Sequence, residues 1–177
     1  LGMLGMHGTY EANMTMHGCD LMVCIGARFD DRITGRIDAF SPKSKKIHID
    51  IDPSSINKNV NVDIPIVGDI ADVLKEILTK WRKKGSKTRE TDVKDWWKTI
   101  KSWQEVKCLS YKNSKDVIKP QYALQILEEL TKGKDRYITT EVGQHQMWAA
   151  QYLNFEEPNR WMTSGGLGTM GYGLPAS

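Results

Sequence analysis

Three short apolar runs, each closing on a glycine or an aspartate at a turn, constrain this chain more than any other feature. Residues 20–26 (DLMVCIG) read as a buried parallel strand, because the apolar positions are continuous rather than alternating. Residues 46–50 (KIHID) read as a second strand, running into Ile51, Asp52 and Pro53. Pro53 blocks its continuation, and Ser54 or Ser55 can cap a short helical turn. Residues 64–67 form a third, brief strand, and Gly68-Asp69 then opens an amphipathic helix in which Ile70, Val73, Leu74, Ile77, Leu78 and Trp81 recur at helical spacing. Strands separated by helices and short turns build a parallel sheet, so the fold class is α/β.

The pattern breaks at residues 83–92 (KKGSKTRETD), which are polar and read as a linker at a domain boundary. Beyond it Trp96, Trp97, Ile100, Trp103 and Val106 line one helical face, a packing stripe with no chemistry of its own. A second α/β pattern begins at Pro120, which suits the first turn of a helix carrying Tyr122, Leu124, Ile126, Leu127 and Leu130. Gly133 ends that helix, and residues 137–140 form the next strand. A helix through Trp148 and Ala150 and a glycine cluster at 165–173 follow. The layout is the end of a Rossmann-like parallel-sheet middle domain at 1–84, a linker and helical connection at 85–119, and the start of a second α/β domain at 120–177. The chain opens on Leu1 without an initiator methionine and closes just after a glycine-rich apolar segment, so it is expected to be cut at both ends.

Composition excludes several classes. A net charge of +3 over 177 residues gives no footprint for nucleic acid, and the basic residues between Lys80 and Lys94 (Arg82, Lys83, Lys84, Lys87, Arg89) read as a solvated linker face. No apolar run approaches the ~18 residues of a membrane span, and no signal peptide precedes the first strand. Cys19, Cys24 and Cys108 form neither a CxxC pair nor an even set, which fits reduced thiols in the cytoplasm, or in an organelle of a eukaryote.

Ligands in open parallel sheets bind outside the carboxyl ends of the strands. The first strand ends at Gly26 and is followed by Ala27, Arg28, Phe29, Asp30, Asp31 and Arg32, where two guanidinium groups can fork onto phosphate or carboxylate. The second ends in Asp50, Ile51 and Asp52, and the third in Gly68-Asp69 at a helix start. Arginine, aspartate and Gly-Asp at three strand ends describe a dinucleotide cleft, although the chain has no GxGxxG loop and a standard NAD site is not supported. Taken alone, Asp52-Pro53 is a turn. In the second domain, residues 142–145 (VGQH) stand where strand gives way to helix, and free N–H groups with the helix dipole favour a diphosphate there. His145 alone reads equally as a capping or core histidine, Met170 alone as core filler, and the 165–173 glycines alone as a tight turn.

Read together, LGMHGT at 4–9, GARFDDRITG at 26–35, HIDIDP at 48–53, EVGQHQMWAAQ at 141–151 and SGGLGTMGYGLP at 164–175 resemble the acetohydroxyacid synthases, a family of thiamine-diphosphate enzymes. HIDIDP is shared widely among thiamine-diphosphate enzymes, whereas RFDDRxTG is far more particular. The resemblance implies that 1–84 is the C-terminal part of an FAD-binding middle domain and 120–177 the N-terminal part of the thiamine-diphosphate domain. It assigns Leu4, Gly5, Met6, His7, Gly26, Ala27, Arg28, Phe29, Asp30, Asp50, Ile51, Asp69, Ile70, Gly165 and Gly166 to FAD. Gln144 and His145 would meet the diphosphate of thiamine diphosphate, and Gly168, Thr169 and Met170 its pyrimidine. Gly168 and Met170 would act directly in catalysis, the first through its carbonyl on the pyrimidine amino group and the second beneath the bend of the cofactor. Arg32 is the candidate for the carboxylate of the acceptor substrate, where a planar fork suits a planar anion.

The implied reaction decarboxylates pyruvate and joins the two-carbon unit to a second 2-keto acid, a transferase step in branched-chain amino-acid biosynthesis. In the family the catalytic glutamate lies in an amino-terminal domain and the Mg2+ ligands lie just past Ser177, so no metal ligand is expected here and these residues alone should be inactive. Family members assemble the pocket across a homodimer, and there is room for a separate regulatory subunit. Two other readings stay open: another thiamine-diphosphate carboligase or 2-keto-acid decarboxylase, and, from a different class, a redox flavoprotein or non-catalytic nucleotide-binding module.

Overall fold

The structure is a computed structural model that describes residues 1–85 and 90–177. Residues 86–89, inside the stretch read as a linker, lie outside the described residues. The chain divides into two compact units, Met3–Cys108 and Leu109–Ser177.

The first unit is built on a parallel sheet of β1 (Leu21–Ile25), β2 (Lys45–Asp50) and β3 (Ile64–Val67), with β2 in the centre. Leu21 stands opposite Lys45 and Ile25 opposite Ile49, while Ile47 pairs with Ile64 and Asp50 with Val67. Cys24, Phe29, Phe40 and Val60 form its core, with Met16, Met22 and Val62 packed against them and Ile49 and His48 fully buried. Burial pushes the Cys24 thiol up to about 11, assisted by the neighbouring Cys19, so it is a packing group and a poor nucleophile. The expectation that β1 is buried on both faces is corrected. Met22 and Cys24 face the core, while Leu21, Val23 and Ile25 are exposed. A continuous apolar run reports two apolar faces, and only one of them is covered within these residues.

After β3 comes α3 (Ile70–Lys83), whose amphipathic spacing was legible in the sequence. Pro53–Ser55 is a single 3-10 turn, but its cap is Asp52 rather than a serine: Asp52 accepts the Ser54 N–H at 2.9 Å and the Ser54 hydroxyl at 2.8 Å. Proline takes the first helical position, which leaves the residue before it as the cap.

Two longer helices of this unit pack on each other. The helix α1 (Tyr10–Gly18) had no apolar periodicity to announce it, because Ala12 is its one buried residue; Thr9 caps it by accepting the Ala12 N–H at 3.2 Å. On it packs α4 (Glu90–Gln104), so residues 85–119, read as linker and connection, include a helix that belongs with the first compact unit. The tryptophan stripe is narrower than its spacing suggested. Trp96 and Trp103 meet edge to face at 5.6 Å and Ile100 is buried, whereas Trp97 and Val106 are exposed.

In the second unit α5 (Pro120–Thr131) packs on α6 (Gln144–Tyr152), beside a two-stranded parallel sheet of β4 (Ile138–Thr140) and β5 (Trp161–Thr163). The Arg136 guanidinium ties the end of α5 to the segment after α6 by donating to Glu128 and, at 2.6 Å, to the Asn154 carbonyl. Thr140, Gln146 and Trp161 gather their polar groups on Thr163 and Thr140, with Gln146 Nε2 at 2.6 Å from Thr163 Oγ1. Among the described residues no helix is long and apolar enough to cross a membrane.

Candidate cofactor site

The sheet brings the three strand ends of the first unit side by side. The Gly26 N–H donates to Ile49 O at 2.8 Å and the Gly68 N–H to Asp50 O at 3.0 Å, so the turns after β1, β2 and β3 are stitched in sequence along one edge. The 4–7 segment joins them. Met6 N–H donates to Arg32 O at 2.9 Å, and the Asn13 side chain bonds both the Gly5 N–H and the Gly5 carbonyl at 2.8 Å. Gly5 has φ +89° and comes so near α2 (Asp31–Thr34) that a Cβ would stand 2.4 Å from Arg32 O. Only glycine meets both demands.

The side chains at this edge have different employments. Phe29 turns inward and is 6% exposed, packing edge to face on Phe40 at 5.9 Å and on His48 at 4.9 Å. Its carbonyl accepts from Asn59 Nδ2 at 3.0 Å. Asp50 is nearly buried and accepts the Asp52 N–H at 2.8 Å, with His48 Nε2 3.7 Å away. Asp69 spends its carboxylate as the cap of α3, accepting the N–H groups of Ala71 and Asp72. Ile70 lies against the Gly26 turn, and Ile51, Leu4 and Met6 present exposed apolar surface. Arg28 pairs with Asp30 at 3.1 Å and Arg32 loosely with Asp31 at 3.6 Å; both pairs are exposed, and such pairs restrain a side chain weakly.

In the second unit the chain leaves β4 through Glu141, Val142 and Gly143 and enters α6 at Gln144. No side chain caps α6, so the N–H groups of its first turn, Gln144 and His145 among them, face outward with the positive end of the helix dipole. The glycine-rich segment 164–173 lies against the end of β4. At Gly173 a Cβ would stand 2.8 Å from the Glu141 nitrogen and from the Thr140 carbonyl carbon, so the backbones are in direct contact. The Thr169 N–H is held by Ser164 Oγ at 2.8 Å. Met170 is 77% exposed on this turn, which removes the core-filler reading within this unit. Gly165 and Gly166 lie on the same turn, also exposed.

Glu141 was missed in the sequence. Its carboxylate accepts the N–H groups of Gly171, of Tyr172 at 2.5 Å and of Gly173 at 2.9 Å. The Gly173 N–H, followed by those of Tyr172 and Gly171, holds this carboxyl below the ordinary range against partial desolvation, with His145 adding to the effect. The sequence carried little signal for it, because the glycine-run donors it accepts lie thirty to thirty-two residues further along the chain. Among the described residues no three His, Cys, Asp or Glu side chains gather to hold a metal ion.

Comparison with known proteins names the class. Residues 1–77 match the thiamine pyrophosphate enzyme central domain, and residues 141–177 match the thiamine pyrophosphate enzyme C-terminal TPP binding domain. The chain belongs to the thiamine pyrophosphate (thiamine diphosphate) enzymes. Within that class it is similar over its whole length to acetolactate synthase large subunits: 51% identical to that of isozyme 3 from Escherichia coli, of which it covers 31%, and 51% identical to that of Haemophilus influenzae, of which it covers 30%. It is 43% identical to the acetolactate synthase of Mycobacterium bovis, covering 28% of it. The chain thus spans about a third or less of the length of the curated relatives it matches. An uncapped helix start beside a glycine turn in backbone contact with the same strand end fits the thiamine diphosphate of this class.

Proposed function

We propose that these residues form part of the cofactor sites of an acetolactate synthase, which condenses the two-carbon unit of pyruvate with a second 2-keto acid. The observation that carries the reading is the second unit's arrangement: the open start of α6 and residues 171–173, which directly follow the Gly168–Met170 turn, both lie at the end of β4. Thiamine diphosphate supplies the carbon nucleophile and the electron sink when bound. The first-turn N–H groups at Gln144 and His145 would hold its diphosphate, and the Gly168 carbonyl, Thr169 and the unbranched apolar side chain of Met170 would hold its pyrimidine. Arg32 receives the acceptor carboxylate. The strand-end edge of the first unit takes FAD; for Gly165 and Gly166 of the second unit a flavin contact rests on the family resemblance alone. Support for FAD comes from the close glycine approach at Gly5 and the exposed apolar groups beside Asp50 and Asp69. Phe29 contributes to that site by its backbone, since its ring is in the core.

The full-length protein is further proposed to be a homodimer that binds Mg2+ through residues outside this chain, works with a regulatory subunit and resides in the cytoplasm. The test is product analysis of the full-length protein supplied with thiamine diphosphate, Mg2+, FAD and pyruvate, with and without 2-oxobutyrate. Acetolactate, and acetohydroxybutyrate with the second acceptor, is the expected outcome. Acetaldehyde without acetolactate would make it a decarboxylase. Flavin reduction during turnover, with no dependence on thiamine diphosphate, would make it a redox flavoprotein. Residues 1–177 expressed alone are expected to form no acetolactate, and sustained turnover by them would overturn the assignment of missing groups to other segments.

A further inference from the structure

Glu141 is one residue past β4 and three before Gln144, and its carboxylate reaches the far end of the glycine segment. One oxygen accepts from Tyr172 at 2.5 Å and Gly173 at 2.9 Å, and the other accepts from Gly171, so three successive backbone donors converge on one side chain. We propose that Glu141 is a positioning residue that fixes the Gly168–Met170 turn relative to the start of α6, so that the pyrimidine and diphosphate contacts keep one separation. The proposal rests on the thiamine-diphosphate reading above. The donors explain why a carboxylate is needed. A glutamine would keep the shape and one acceptor, but its amide nitrogen would face an N–H group and leave that donor unpaired.

The test uses the full-length protein with Glu141→Gln and Glu141→Asp. Hydrogen exchange of the 168–173 amides in the cofactor-free protein is read first, then thiamine diphosphate with Mg2+ is titrated by calorimetry. For Glu141→Gln we expect faster exchange in that segment, a melting temperature close to that of the unaltered protein, and a Kd for thiamine diphosphate roughly tenfold or more weaker. The kcat of the fully loaded variant should fall while KM for pyruvate changes little, and Glu141→Asp should recover part of both losses. Unchanged exchange and unchanged Kd in Glu141→Gln would overturn the role. A general loss of melting temperature, equal for both variants and with normal cofactor affinity per folded molecule, would also overturn it, as a staple for the fold alone. Should Glu141→Gln not fold, Glu141→Asp decides by the same two readings. An unaltered protein that fails to bind thiamine diphosphate sinks the underlying reading instead, and is told apart because no variant is involved.

Discussion

The two units hold their outward-facing residues by different means. In the first, Gly26, Asp50 and Gly68 are set by the register of a three-stranded parallel sheet, and a core of Cys24, Phe29, Phe40 and Val60, with His48 packed on Phe29, supports it. In the second, two strands of three residues each end beside a glycine segment that relies on the carboxylate of Glu141. A backbone ladder spreads positional control over many hydrogen bonds, so only a core change disturbs it. A turn held by one side chain concentrates that control, so surface-lying changes there reach function without reaching stability. The sharpest test of this contrast is Phe29→Ala, which should cost about 3–5 kcal/mol of stability, as buried phenylalanine truncations do. Calorimetric or denaturant unfolding checks it; a fully stable variant that has lost flavin affinity would show the ring to be a ligand contact instead.

Met170→Ala probes the other side of the comparison. The side chain is 77% exposed on its turn, so truncation should leave the melting temperature of the full-length protein nearly unchanged. Turnover should still fall on the order of a hundredfold, the scale associated with a displacement of ~1 Å at a reacting centre. Turnover and melting temperature measured together decide the matter: normal turnover per folded molecule with a lowered melting temperature would return Met170 to the core.

What could be read in the sequence divides along the same line. The strands β1 to β4 and the helix α3 were visible because apolar periodicity is a property of the residues themselves, and the register of neighbouring strands then brings their ends together. Invisible features depended on tertiary partners. The helix α1 buries only Ala12, β5 is three residues long, and Phe29 turns its ring inward at a positive φ of 55°. Glu141 belongs with these. Its motif neighbours drew attention to Gln144 and His145, while its own partners lie thirty to thirty-two residues further along the chain.

Arg32 offers a smaller effect that sharpens the account of the first unit. Its backbone is fixed, since its carbonyl accepts from Met6 at 2.9 Å, but its guanidinium is exposed and only 3.6 Å from one Asp31 oxygen. Arg32→Ala should therefore leave stability intact and raise KM for the second keto acid roughly tenfold, the loss expected for one charged hydrogen bond. Steady-state kinetics with varied 2-oxobutyrate provides the check. Equal losses of flavin affinity and activity would instead assign the arginine to a local ion pair.

The smallest effect concerns pH, and it separates the two means of support without a core mutation. Glu141 has an ordinary value of 4.5, and in place its carboxyl is held lower, chiefly by the Gly173 N–H and then by those of Tyr172 and Gly171. A carboxyl whose value is depressed in the ordered state favours that state above its ordinary value. The preference fades as pH falls through the depressed value, because the protonated form no longer accepts three N–H groups equally well. Cofactor affinity governed by this group should be flat from neutral pH down to about the ordinary glutamate range and weaken only below it. The first unit's strand-end amides, whose partners are backbone carbonyls, should show no matching change. Hydrogen exchange of the full-length protein, compared across pH after correction for intrinsic rates, reads both regions in one experiment. The acid-induced loosening of 171–173 should be absent in Glu141→Gln, which has no proton to gain. The same acid response in that variant would place the sensitivity elsewhere and remove Glu141 from the explanation.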